Sequence, residues 1–246
     1  MFPYELDVHT HTVSSGHYTH DTITDMARCA AQSGIKLLGI SEHGPAIPHS
    51  CTLSYFRSQS LAPSRRMGIH VLYGAEANIT DLSGSLDLPR EIMEKLDYCM
   101  AGMHLPCLSP GTVQENTEAY IHAIENPYIR IIAHPDDTKY PVNYHRLMEA
   151  AMDCRVLLEI NNSSLAPDSY RGNSSQTKEN DRAILELCRK YHYPILLSSD
   201  SHGRAHIGDF THALALIQEI NFPKELIINY SADKFLHFLS SNTTSF

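Results

Sequence analysis

Metal-ligand residues in this chain recur where strand-like apolar segments end. Nine histidine, glutamate and aspartate residues occupy such positions or the loops beside them: His9, His11, His17, His43, Glu76, His104, His134, Asp200 and His202. In a βα barrel the carboxyl ends of all the strands face one mouth, so residues far apart in the sequence would meet there. The pattern therefore predicts a barrel with a polynuclear metal site at its top.

Strand-like and helical patterns alternate along the chain. The strand-like runs are residues 5–8, 36–40, 70–74, 96–101, 129–133, 155–160 and 193–197, and several of them are almost entirely apolar. Continuous apolar runs are typical of parallel strands that are covered on both faces. Helix start signals lie between the runs, including a capping box at Thr22 and Asp25 and a capping residue at Asn143. The alternation predicts an α/β fold with seven parallel strands, and no eighth strand can be read.

Length, charge and cysteine content narrow the class of protein. The chain has 246 residues, the usual size of one barrel, so residues 1–246 are expected to form a single domain. Its start carries no basic region followed by an apolar stretch, and no apolar run has membrane-spanning length, so we expect a cytoplasmic protein with no membrane partner. The six cysteines include no C-x-x-C pair and fit reduced thiols. A net charge of −9 disfavours binding of duplex nucleic acid.

The motif D-V-H-T-H near the start has the spacing of a chelating pair. His9 and His11 are two residues apart, so at a strand end their side chains point the same way and can bind one ion through neutral imidazole. An isolated H-x-H arises by chance, but the motifs S-E-H, G-A-E-A-N, A-G-M-H, I-I-A-H-P and S-S-D-S-H repeat the placement at other strand ends. The repetition favours a metal centre over buried structural histidines.

The order of these motifs, together with S-E-H-G and E-I-N-N-S, resembles the PHP (polymerase and histidinol phosphatase) family. The resemblance covers residues 5 to about 237 and is greatest to the short stand-alone phosphatases of that family. It implies a distorted (β/α)7 barrel, which is TIM-barrel-like, with a trinuclear centre of divalent ions. The ions are expected to be zinc, with iron or manganese as alternatives. The implied activity is hydrolysis of small-molecule phosphate esters.

The resemblance also implies how the nine ligands divide among three ions. The first ion would be held by His9, His11, Glu76 and Asp200. Glu76 would bridge to a second ion held by His104 and His134, and the third would be held by His17, His43 and His202. The chain departs from the family pattern at Glu42, Leu105 and Asp136–Asp137. We expect these departures to alter the contacts that support the ligands and the substrate preference, while no ligand is lost.

Three divalent ions carry about +6 and two ligand carboxylates remove about 2, so the site would attract a phosphate dianion despite the acidic chain. A water that bridges two ions becomes a hydroxide near neutral pH and attacks phosphorus. The expected catalytic role of Glu76 and Asp200 is to position this metal-bridging hydroxide. No side-chain nucleophile is required, and the sequence does not identify a general acid.

Three residues outside the ligand set are candidates for substrate binding: Arg171, Asn161 and His49. Arg171 could pair with phosphate, but a plain surface arginine explains it equally well. Asn161 follows a strand and could support the ligands or only turn the chain. For His49, in a polar loop, a solvated histidine is the simpler interpretation.

Two other functions stay open from the sequence. An amidohydrolase-like enzyme acting on a carbon centre also begins with H-x-H, but it uses fewer ions and frequently a bridging lysine, and no lysine ends a central strand here. A non-catalytic metal-binding module is the second alternative. The sequence does not specify the natural phosphoester, the physiological metal or the oligomeric state, and an oligomer is compatible with it.

Overall fold

The structure is a computed structural model and describes residues 4–16, 19–171 and 174–240. Its ten strands are β1 Leu6–Asp7, β2 Thr10–His11, β3 Leu37–His43, β4 Arg65–Arg66, β5 Ile69–Asn78, β6 Tyr98–Gly102, β7 Ile129–Ile132, β8 Leu157–Asn161, β9 Ile195–Ser198 and β10 Ser201–His202. Its helices are α1 Ile23–Ser33, α2 Leu53–Gln59, α3 Arg90–Met93, α4 Val113–Ile124, α5 Tyr144–Cys154, α6 Ser174–Tyr191, α7 Thr211–Glu219 and α8 Ala232–Ser240.

Seven parallel strands form one nearly closed sheet. They follow the order β1-β3-β5-β6-β7-β8-β9, and β4 adds an antiparallel pairing to the start of β5. The short strands β2 and β10 continue beyond β1 and β9 and pair in parallel, with His202 opposite His11. The predicted distorted (β/α)7 barrel and all seven predicted strands are therefore confirmed.

Asn229 joins the two ends of the sheet at the seam between β1 and β9. Its side chain accepts a hydrogen bond from the Leu197 amide at 2.8 Å and donates to the carbonyls of Leu6 at 3.1 Å and Leu197 at 2.8 Å. The Glu5 amide donates to the Asn229 carbonyl at 2.8 Å. A buried amide thus supplies the backbone partners that a neighbouring strand would otherwise provide.

The helices begin where the sequence places capping residues. Thr22 and Asp25 form the predicted capping box at α1, and Asn143 caps α5 by accepting from the Arg146 amide. A second capping box, Thr112 with Glu115, starts α4. No helix in the described part of the chain is both long and apolar enough to cross a bilayer.

Apolar side chains occupy the part of the barrel interior that lies toward the amino-terminal ends of the strands. One buried cluster joins the inner faces of several strands to α8, which packs Phe235 and Phe238 against them. A second, larger cluster lies between the sheet and the surrounding helices. α8 covers the amino-terminal end of the strands, and the predicted metal ligands lie at the opposite, carboxyl ends.

Candidate metal centre

Strand periodicity places the polar side chains directly above the apolar interior. Side chains two residues apart in a strand share a face. On β5, Leu72 belongs to the interior cluster and Glu76 lies four residues further along on the same face. On β8, Leu157 is interior and is followed on that face by Glu159 and Asn161, all of them buried. The same strands therefore supply the core below and the site above.

Glu76 lies at the middle of the site and contacts five imidazoles. Its Oε1 is 2.8 Å from His134 Nε2 and 3.1 Å from His104 Nε2. Its Oε2 is 2.7 Å from His43 Nδ1, 3.3 Å from His9 Nε2 and 3.5 Å from His11 Nε2. Each oxygen thus faces a different set of imidazoles, so Glu76 would be able to serve two ions.

Asp200 completes the site from the opposite side. Its Oδ1 lies 3.4 Å from His9 Nε2, 3.3 Å from His11 Nε2 and 3.7 Å from His202 Nδ1. The rings of His11, His43 and His202 lie together, with the His11 centroid 4.3 Å from that of His43 and 4.4 Å from that of His202. Eight of the nine predicted ligands are therefore brought together, and the ninth, His17, lies outside the described residues.

Several donor atoms of the site suit a metal ion better than any protein partner. His9 Nε2, His11 Nε2, Glu76 Oε2 and Asp200 Oδ1 are buried and have no hydrogen bond within the described structure. Leaving such atoms without a partner is costly, whereas coordination by a divalent cation satisfies them. The residues present thus fit divalent metal binding.

Three groups of donors lie close enough together to hold an ion, with the atoms of each group within 4.8 Å of one another. They are His9 with His11 and Glu76, His43 with Glu76 and His104, and His11 with His43 and His202. Each group shares at least two members with one set implied by the family resemblance. The departures are that His43 lies beside Glu76 and His104, and that His11 lies beside His43 and His202. The exact division of ligands among ions stays a prediction.

Mutual electrostatics set the protonation of the centre. Burial lowers the pKa of His104 to about 4, although Glu76 opposes this. Burial also disfavours a charged His9, but the carboxylates of Glu159, Asp200 and Glu76 outweigh it and raise the pKa of His9 well above its usual value. In the same way, burial opposes ionisation of Glu76, while the imidazoles around it hold its pKa well below the usual range. A cation that binds here must displace a proton from His9.

Glu159 is the functional residue that the sequence analysis missed. Its Oε1 lies 2.6 Å from His9 Nδ1, and its Oε2 accepts from the His134 amide at 2.6 Å. A carboxylate that accepts from Nδ1 fixes the tautomer and leaves Nε2 free for a metal. Its position two residues before Asn161 in E-I-N-N-S was the available signal, because alternation puts both side chains on the inner face.

Other side chains orient two more of the imidazoles. The Asn78 side chain contacts His104 Nδ1 at 2.7 Å, and Ser15 Oγ lies 3.1 Å from His11 Nδ1. Glu42 accepts from the hydroxyls of Ser15 and Thr12 and so holds the turn that follows His11. The Glu42 departure from the family pattern therefore retains a supporting function.

Arg171 is buried and bound to a predicted ligand. Its side chain is 1% exposed and its Nη2 donates to Asp200 Oδ2 at 2.5 Å, so the surface-arginine alternative is wrong. Asn161 is also buried and donates to Glu159 Oε2 at 3.0 Å and Asp200 Oδ2 at 3.2 Å. Both residues contact carboxylates of the site, which supports a positioning role ahead of the predicted contact with substrate.

His49 lies exposed on a turn with a φ of 67°. No contact between its ring and the centre is found in the described ranges, so its predicted substrate role gains no support. Asn162, next to Asn161, accepts from the amides of His212 and Ala213 and thereby fixes the start of α7.

Comparisons with known proteins agree on one family of proteins. Residues 7–231 match the family described as PHP domain. The chain is 41% identical over 238 residues to a probable phosphatase of Clostridium novyi, which covers 97% of this chain and 95% of the other. A probable phosphatase of Clostridium botulinum is 39% identical over 238 residues, with the same two coverages. Among solved structures, a histidinol phosphate phosphatase from Lactococcus lactis, complexed with zinc, L-histidinol and phosphate, is similar with a TM-score of 0.61 at 15% identity. The match covers 89% of this chain and 95% of that one.

Proposed function

The chain belongs to the PHP domain family, and from this we propose that it is a metal-dependent phosphatase acting on small-molecule phosphate monoesters. The observation that carries the proposal is the convergence of Glu76, Asp200 and six imidazoles on one buried mouth of the barrel, with several donor atoms unsatisfied. Relatives that cover almost the whole chain carry the name probable phosphatase, which supports the same reaction class.

We further propose that the centre holds three divalent ions, with zinc as the resident metal. Three overlapping donor groups support the number. Nitrogen donors combined with a few carboxylates suit zinc, and the Lactococcus lactis structure contains zinc. His17 would complete the third set, as the family resemblance implies. The six cysteines form no disulfide in the described structure, which supports a reducing, cytoplasmic location.

Bound ions would supply positive charge for the phosphate and activation of the attacking water. The protein's own residues set the geometry. Arg171 and Asn161 engage Asp200 Oδ2, so Oδ1 is the oxygen left to face His9 and His11. Glu159 holds His9 with Nε2 directed at the same point. These contacts fix the donors before an ion or substrate arrives, which reduces the reorganisation needed during the reaction.

Hydrolysis at a carbon centre is the second candidate, and it is disfavoured by the donor set. A site for one or two ions would leave the group of His11, His43 and His202 without a function. Lys139, in the loop after β7, does not take the place of the bridging lysine of such enzymes, because its Nζ donates to the Tyr170 carbonyl.

A comparison of two chromogenic esters tests the proposal. Metal-loaded protein should release p-nitrophenol from the phosphate ester and not from the acetate ester, and chelation should abolish the release. Asp200→Ala should lower kcat by several orders of magnitude because it removes a ligand, whereas Asp233→Ala, at an exposed position of α8, should not. Preferential cleavage of the acetate, or full activity after the metals are removed, would contradict the proposal.

A further inference from the structure

The carboxylate of Asp87, in the loop between β5 and α3, is half-buried and held by backbone amides. Its Oδ1 accepts from the Asn78 amide at 2.8 Å, and its Oδ2 accepts from the Ala46 amide at 2.9 Å. The carboxylate also packs against Gly44, where a Cβ would come within 2.4 Å of both oxygens. Two backbone amides and a close-packed glycine therefore fix the carboxylate in one position.

The Asn78 side chain joins this carboxylate to a predicted metal ligand. Asn78 is the last residue of β5 and is fully buried. Its Nδ2 donates to Asp87 Oδ2 at 2.6 Å, and its Oδ1 lies 2.7 Å from His104 Nδ1. An amide has one donor end and one acceptor end, whereas a carboxylate only accepts. Asp87 therefore turns the amide of Asn78 so that its oxygen faces His104.

The direction of this amide determines which nitrogen of His104 can bind a metal. Because Nδ1 faces an oxygen, it must carry the ring proton, and Nε2 keeps its lone pair. Nε2 lies at the centre, 3.1 Å from Glu76 Oε1 and 3.2 Å from His134 Nε2. If the amide turned over, its NH2 would face Nδ1 and the ring proton would move to Nε2. His104 could then no longer coordinate an ion.

We propose that Asp87 is a positioning residue of the metal centre, acting through Asn78 to hold His104 in its metal-binding tautomer. The inference rests on the metal-dependent function proposed above, and it adds a residue that lies two hydrogen bonds away from the ligand. Loss of an outer support of this kind typically lowers metal affinity or activity by about 10- to 100-fold. The ion that His104 holds is the one whose affinity should fall.

Two variants separate an effect on the amide from an effect on the loop. In Asp87→Ala no carboxylate fixes the amide, so His104 should be present in both tautomers and one zinc ion should bind about 10- to 100-fold more weakly. In the double variant Asn78→Asp with Asp87→Ala, both side-chain oxygens at position 78 are acceptors, so the orientation of that side chain no longer matters. The double variant should return to a single tautomer and to near wild-type zinc affinity.

Two measurements follow the effect. The ring 15N signals of His104 report the tautomer in metal-free protein at about pH 8, where the ring is neutral, and a spectrum of His104→Gln assigns them. Competition with a chelator of known affinity measures zinc binding in the reloaded protein. Asp97→Ala is the matched control, because Asp97 also accepts from a β5 amide, that of Tyr73, but at the other end of the strand.

The outcomes separate this inference from the function on which it rests. If Asp87→Ala keeps a single tautomer and wild-type zinc affinity, or if the double variant binds zinc as weakly as Asp87→Ala, the positioning role is wrong while the phosphatase function stands. If the zinc-loaded wild type releases no phosphate from any monoester, the proposed function fails, and the spectra still decide the role of Asp87. The wild-type spectrum is decisive even if Asp87→Ala does not fold, because a proton on His104 Nε2 would overturn the inference.

Discussion

Replacing Glu159 with glutamine should weaken metal binding without changing the size of the side chain. The two carboxylate oxygens have different partners. Oε1 accepts from His9 Nδ1, while Oε2 accepts from the His134 amide and from the Asn161 side chain. All three partners are donors, so the position requires two acceptor oxygens, and glutamine has one.

The glutamine must therefore satisfy either His9 or the other two donors. If its oxygen serves the His134 amide and Asn161, its NH2 faces His9 Nδ1, which must then accept. The ring proton moves to Nε2, and His9 can no longer bind a metal. Loss of such a supporting carboxylate typically lowers metal affinity or activity by about 10- to 100-fold, or about 1.4 to 2.8 kcal/mol.

Competition with a chelator of known affinity measures this effect on protein that has been stripped of metal and reloaded with zinc. Glu159→Gln should release its weakest-bound ion at lower chelator concentration than the wild type, and its kcat should fall in parallel. Glu149→Gln, at an exposed position of α5, is the control for removal of one negative charge. Wild-type affinity and activity in a folded Glu159→Gln protein would refute the tautomer reasoning.

Three further predictions follow from the same contacts. Glu76→Gln should lower the content of more than one ion, because its two oxygens face different imidazoles, whereas His202→Ala should affect chiefly one; elemental analysis of both purified variants distinguishes the two patterns. Metal affinity and activity should rise with pH through neutrality, because the raised pKa of His9 keeps a proton in competition with the metal above the usual value near 6.5; an activity optimum near pH 5 with metals retained would contradict this. Arg171→Ala should lower kcat about 10- to 100-fold as well as raise KM, because it removes a partner of Asp200; a change in KM alone would instead show simple substrate binding.

Much of the fold could be predicted because the strands are buried on both faces. Their apolar runs were readable without knowledge of the partners, and turn chemistry marked the helix starts at Thr22 and Asn143. The predicted ends of the strands were less accurate. β5 extends to Asn78, well past residue 74, because Glu76 and Asn78 are polar and do not look like strand residues. They are tolerated in a strand because their side chains have partners at the site.

The ligands could be predicted, but most of their supports could not. Histidines after apolar runs are unusual enough to be noticed, whereas Glu159 is an acidic residue whose importance depends on which face of β8 it occupies. Arg171 and Asn161 are candidate substrate contacts from the sequence, but no local pattern indicates that both are buried against Asp200. Long-range pairs of this kind depend on where loops close over the barrel, and local patterns do not determine that.

Stepwise return of metal to stripped protein tests whether the centre holds three ions and needs them for phosphate release. Zinc bound per chain and phosphate released from a monoester are measured on the same samples as zinc is added. We expect binding to continue to three ions per chain and activity to rise with the later additions, because Glu76 links the donor sets. Full activity in a chain that holds no more than one ion, with no gain on further addition, would contradict it.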